Sequence, residues 1–131
     1  FVNQALNNED LTVYFDGSQL RAFTWVKDIV SGIFLTTTAK NEDWNEIWNV
    51  GNEKNEKSIR YLAEKVIEFT NSSSKIVSID PVNLHGKLFA EAPEKIPDSS
   101  KIRDRLNWDP IKSADEVIKE VVDHFKEIKG I

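Results

Sequence analysis

The run from Leu11 to Asp28, LTVYFDGSQLRAFTWVKD in one-letter code, constrains the fold of this chain more than any other stretch. Thr12, Val13, Tyr14 and Phe15 are β-branched or aromatic, the composition of a short strand. Asp16-Gly17 supplies a turn immediately after it. A single arginine, Arg21, follows between polar and apolar neighbours, and Phe23 to Val26 reads as extended before a helix opens at Lys27-Asp28. A strand, a tight turn and a helix within 18 residues leave little room for anything but a mixed α/β packing unit.

The rest of the chain continues that alternation. Residues 1–6 read as the end of a helix, closed by Asn7 to Asp10. The helix opening at Lys27-Asp28 carries Ile29, Val30, Ile33 and Phe34 at helical spacing, which predicts one buried face. Ile47 to Val50 reads as a second strand, closed by Gly51-Asn52. Ser58 is placed to cap a helix that buries Ile59, Leu62, Ala63, Val66 and Ile67, and Ser72 to Ser74 break it. Lys75 to Asp80 alternates like a half-buried strand stopped by Pro81. Residues 81–97 hold three prolines and a glycine and read as a loop, after which Asp98 caps a short helix through Leu106. Ser113-x-x-Glu116 is a capping box that opens a last helix with the stripe Val117, Ile118, Val121, Val122, Phe125 and Ile128. Gly130 is a fitting stop.

Composition excludes several classes. The 131 residues fit one domain. With no cysteine there is neither a disulfide framework nor a thiolate metal site; this fits a reducing compartment, and the expected location is the cytoplasm. His85 and His124 are isolated, so no metal site is expected. The net charge of −5 has both signs interspersed, so no basic stripe points to nucleic acid. Apolar runs are far too short to span a bilayer. There is no methionine, and Phe1 to Leu6 reads as helix from the first residue. The expectation is therefore a segment of a longer protein.

Several pieces recur in a recognisable order: Phe1-x-x-Gln4-Ala5-Leu6, the Arg21 run, Asn49-Val50-Gly51, the Ser58 helix, Pro97-Asp98-x-Ser100-Lys101, Leu106-x-Trp108-x-Pro110 and the capped last helix. This succession, over nearly the whole chain, resembles the NAD-dependent nucleotide-sugar epimerase/dehydratase family, the extended short-chain dehydrogenases. The resemblance implies an α/β (α+β) fold: a small sheet of short strands with about four to five helices. It implies that residues 1–131 form one lobe, the carboxyl-terminal nucleotide-sugar-binding part without its Rossmann domain.

The function so implied is binding of a nucleotide-diphosphate sugar, most of all as in UDP-glucose 4-epimerase. UDP-glucuronate decarboxylase and dTDP-glucose 4,6-dehydratase are the alternatives, and a non-enzymatic binding or regulatory module built from the same lobe is another. Arg21 would contact the diphosphate, for which a planar fork of donors is suited, and Gln19 would add a polar contact. Thr12, Val13 and Tyr14 would lie along the base. Lys95 falls where the family has a second phosphate-contacting arginine; it keeps the charge and loses the fork. Glu94 replaces another basic residue, and Phe15 stands where the family has glycine. Asp28 reads as structural, an acid at a helix start, and Lys101 and Asp98 as parts of the short helix. Tyr61 and Lys65 match the Y-x-x-x-K spacing of short-chain dehydrogenases, but any helix puts such a pair on one face. No catalytic residue is expected in this chain. NAD is implied for the complete enzyme, held by an upstream Rossmann domain and not by this lobe; a homodimer of the complete enzyme is also implied.

Overall fold

In a computed structural model, which describes residues 1–131 apart from the side chain of Asn41, the chain forms six helices and five short strands among the described residues. They are α1 (Val2–Leu6), β1 (Leu11–Tyr14), β2 (Leu20–Ala22), α2 (Val26–Thr37), β3 (Glu56–Ser58), α3 (Ile59–Thr70), β4 (Ile76–Ile79), α4 (Val82–His85), β5 (Glu94–Lys95), α5 (Ser100–Leu106) and α6 (Ala114–Lys129). Strands β1 and β4 pair in parallel, Leu11 opposite Ile76 and Tyr14 opposite Ile79. The other sheet runs β3-β2-β5, antiparallel on the first side and parallel on the second. The α/β lobe expected from the sequence is observed, with its strands divided between two small sheets.

The elements have local causes. The Ser58 hydroxyl accepts from the Tyr61 amide at the start of α3, and Asn71 ends that helix in the left-handed conformation, which asparagine tolerates better than most residues. The Ser113–Glu116 capping box is complete in both directions, and Gly130 closes α6 at φ 71°. Buried Ala5, Leu11, Val66 and Ile118 form a core where α1, β1, α3 and α6 meet, flanked by Tyr61, Leu62 and Ile67.

A second centre joins α2 to the α5–α6 region. Trp108 is 1% exposed, and its indole N–H donates to the Asp28 carbonyl at 2.8 Å and to the Ser31 hydroxyl at 3.1 Å. Gly32 lets it approach: a Cβ there would lie 2.7 Å from Val50 and 3.2 Å from the indole nitrogen. Close by, the buried Ser99 hydroxyl accepts from the Gly51 amide at 3.0 Å and donates to the Gly51 carbonyl at 2.8 Å. Asn55 donates to the carbonyls of Phe23 and Lys112. These bonds fix an irregular segment whose buried backbone groups have no ladder to join.

Several expectations are corrected. Residues 47–50 form no ladder, and Ile47 is 85% exposed. The strands at β2 and β3 were not foreseen, and the expected loop 81–97 contains α4 and β5. The apolar stripe of α2 does not face the core: Val30, Ile33 and Phe34 are more than half exposed, while Asp28 and Gly32 are buried. In α6, Ile118 and Val122 are buried but Val121, Phe125 and Ile128 are exposed. Periodicity located both stripes, yet three of the four α2 residues and three of the six α6 residues face outward. Asp28 is an acid in the first turn of α2, as expected, but does not cap it: α2 starts after Trp25 without a side-chain cap, and the Asp28 carboxylate accepts from the Ile111 amide at 3.3 Å. Ser99, rather than Asp98, precedes α5, with Asp98 accepting from the Ser100 amide at 2.9 Å.

Candidate functional site

Strand β1 belongs to one sheet and β2 to the other, and the turn between them sets their separation. Gly17, at φ 76°, adopts a conformation that side chains rarely take, and a Cβ on it would lie 3.1 Å from the Cβ of Arg60 at the start of α3. The Arg60 amide donates to the Gly17 carbonyl at 2.8 Å, and its guanidinium Nε donates to the Asp16 carbonyl at 2.7 Å. Phe15 also sits at positive φ, 53°, a strained place for a bulky residue; this accounts for the glycine of the resembled pattern.

Between the two strands lies a cleft of about 360 Å3 lined by Thr12, Val13, Tyr14, Gln19, Arg21, Ile59 and Glu91. Five of the six residues singled out in the sequence therefore share one cavity. The sixth, Lys95, is not on its wall but is register-paired with Arg21 across β2 and β5. Lys57 is paired with Arg21 on the other side. Directly paired residues share a face of a sheet, so three cations form a row across it.

The Arg21 guanidinium is held by three acceptors: the Leu20 carbonyl at 2.5 Å, the Ala92 carbonyl at 3.3 Å and the Glu91 carboxylate. The same carboxylate oxygen of Glu91 accepts from Lys95 at 3.3 Å. The Gln19 amide nitrogen donates to the Tyr14 carbonyl at 3.1 Å, and its buried carboxamide oxygen has no partner among the described residues. A buried acceptor left without a donor costs about 1–3 kcal/mol. At the end of β1, the Tyr14 hydroxyl and His85 Nε2 lie 2.8 Å apart, and His85 stacks on Phe89.

Glu91, Ile59 and Lys57 are members of this neighbourhood that sequence reasoning did not assign. Glu91 lies in the quoted 85–101 stretch, but only the β2–β5 pairing brings it to Arg21. A second cavity, of about 420 Å3, shares Gln19 and Glu91 with the first and is otherwise lined by Phe15, Asp16, Ser18, Leu20, Pro93 and Glu94. Hydrogen bonds from Ser18 hold the Asp16 carboxyl below its usual range.

Tyr61 and Lys65 lie apart from this cleft. The Tyr61 hydroxyl donates to Asp115, a bond that, with burial, pushes its pKa up, and Lys65 pairs with Glu68 at 2.9 Å. A phenol so engaged ties α3 to α6. No helix among the described residues is long and apolar enough to cross a membrane, and no group of three or more metal-ligating side chains occurs among them.

A family model described as GDP-mannose 4,6 dehydratase matches residues 1–121. The UDP-N-acetyl-alpha-D-glucosaminuronate decarboxylase of Bacillus cytotoxicus is 38% identical over 131 residues, covering 99% of this chain and 40% of that protein. UDP-glucuronic acid decarboxylase 1 of Arabidopsis thaliana is 35% identical over 127 residues, covering 96% of this chain and 27% of that protein. Among solved structures, UDP-glucose 4-epimerase from Thermotoga maritima, determined with UDP-glucose, superposes with a TM-score of 0.83 at 23% identity, over 98% of this chain and 38% of that one. At that identity the likeness establishes the fold. The chain thus spans two fifths or less of the length of these relatives. Matched by its model over nearly its whole length, the chain belongs to the GDP-mannose 4,6 dehydratase family, within the NAD-dependent extended short-chain dehydrogenases.

Proposed function

We propose that this chain is the nucleotide-sugar-binding lobe of an NAD-dependent enzyme and that its cleft holds a nucleoside diphosphate. The observation that carries this is the convergence of Thr12, Val13, Tyr14, Gln19 and Arg21 on one cavity. The Arg21 fork would take the diphosphate, with Lys95 beside it. β1 would lie along the base, and a ligand donor would satisfy the orphaned Gln19 oxygen. A UDP-sugar acid, decarboxylated by the complete enzyme, is the substrate class favoured by the two relatives at 38% and 35% identity. Epimerisation of UDP-glucose, the leading expectation from the sequence, has its support from a more distant likeness.

The longer helices of this chain start from Trp25, Ser58 and Ser113, not from a glycine-rich strand-to-helix turn, so its residues do not fit NAD. The dinucleotide would be held by another part of the enzyme, supplying the oxidation and reduction of the sugar. The exposed apolar residues of α2 would suit contact with that part. Calorimetric titration of the full chain with UDP tests the binding claim. Arg21→Ala should weaken binding at least tenfold, about 1.4 kcal/mol; equal heats for variant and wild type would remove the basis of the proposal.

A further inference from the structure

Two of the three cations in the row, Arg21 and Lys95, already share an internal carboxylate. The Glu91 side chain is 16% exposed, that of Arg21 19% and that of Lys95 60%. One oxygen of Glu91 accepts from both cations, and the remaining Arg21 bonds go to main-chain carbonyls. Both Nη atoms of the fork that suits a phosphate are therefore already engaged by protein acceptors, and the one charged acceptor among them is Glu91. An anion on the Nη2 edge competes directly with Glu91, because a carboxylate and a phosphate held against one guanidinium repel each other.

Glu91 is placed to leave. It sits in the segment between α4 and β5, which begins at Gly86, φ 88°, with no neighbour within 4 Å of a Cβ built there. Leu88 in the same segment is wholly exposed. Phe89 is tied in by stacking on His85, and the Glu91 bonds to Arg21 and Lys95 tie the other end across β2 and β5. We infer that Glu91 is a displaceable internal anion: it holds the Arg21 fork on the cleft wall in the free protein and is expelled, with the segment from Gly86 up to the main-chain anchor of Pro93 on Leu20, by the diphosphate of an incoming ligand. It thereby lowers affinity for the ligand while stabilising the free protein.

The inference rests on reading the cleft as a nucleoside-diphosphate site, and its test separates the two. UDP affinity and thermal midpoint are measured on the full chain for wild type, Glu91→Gln and Arg21→Ala. Removing the competing charge should tighten UDP binding about tenfold, the scale of one partly buried charge pair, while the midpoint without UDP falls. A purely structural Glu91 would move both quantities in the unfavourable direction, so unchanged or weaker binding by Glu91→Gln overturns the inference. Loss of binding in Arg21→Ala alongside that result leaves the proposed function standing; undiminished binding in Arg21→Ala removes both. Hydrogen exchange of the wild type gives the same answer if Glu91→Gln does not fold. Exchange at residues 87–92 should rise when UDP binds, and unchanged or slower exchange would count against displacement.

Discussion

Replacing Ser99 with alanine tests the account of the irregular segment behind the cleft. Ser99 is 0% exposed, and its hydroxyl serves both main-chain groups of Gly51, at 3.0 and 2.8 Å. Gly51 is itself buried, and a Cβ on it would meet the Pro97 ring at 2.4 Å, so water has no ready access to the groups left behind. The substitution removes two hydrogen bonds and strands one N–H and one C=O. At roughly 1–3 kcal/mol for each stranded group, the expected loss is about 2–6 kcal/mol. Urea unfolding followed by circular dichroism measures it, with the slope watched so that a change in midpoint reads as stability. Ser100→Ala, one residue on, whose hydroxyl bonds only the exposed Asp98 carboxylate, is the control, expected within about 1 kcal/mol of wild type. If Ser99→Ala also falls within that margin, Gly51 finds other partners and the reasoning about this segment fails.

Further outcomes follow from the same structure. Gly51→Ala should destabilise by roughly 1–3 kcal/mol through overpacking against Pro97, measured in the same unfolding assay. Ile102→Ala, fully buried, should cost about 2–5 kcal/mol, whereas Phe34→Asn, at 64% exposure, should cost less than about 1 kcal/mol; a reversed ranking would restore the α2 stripe to the core. Glu116 is held below the ordinary glutamate value of 4.5, chiefly by its hydrogen bond with the Ser113 side chain. Because the folded pKa is the lower one, the contribution of this carboxylate is present above 4.5 and lost as pH falls below it. The thermal midpoint should drop over that acidic range, and drop less steeply in Glu116→Gln; parallel curves would show that the capping box is not linked to pH.

What could be read from the sequence divides by distance along the chain. Ser58, Ser113 with Glu116, and Gly130 act within a turn of themselves, and each stands where its residue type implied. Thr12 to Arg21 supplies most of the lining of the cleft because strand, turn and strand are consecutive. Strand β3 was illegible: Glu56, Lys57 and Ser58 have no β-forming character, and they are extended because β2 lies alongside. Ile47 to Val50 has the composition of a strand but no neighbour to pair with. The outward faces of α2 and α6 mislead for a related reason, since periodicity reports that a face is apolar and not what covers it. Glu91 escaped because its partner Arg21 is 70 residues away and the parallel β2–β5 pairing leaves no turn signal between them.

The division of the strands between two sheets bears on the order in which the cleft is assembled. β1 closes on β4, and β2 on β5, only after most of the intervening chain has been laid down. Helices α3 and α6 carry strong local start signals and can form early, whereas these pairings pay a loop-closure entropy that makes them late events. Both walls of the cleft belong to the late set. A partly folded chain would therefore be rich in helix and lack the cleft, and on the proposed function the recovery of UDP binding during refolding would lag behind the recovery of helicity. The cleft thus serves as a built-in reporter of completed topology.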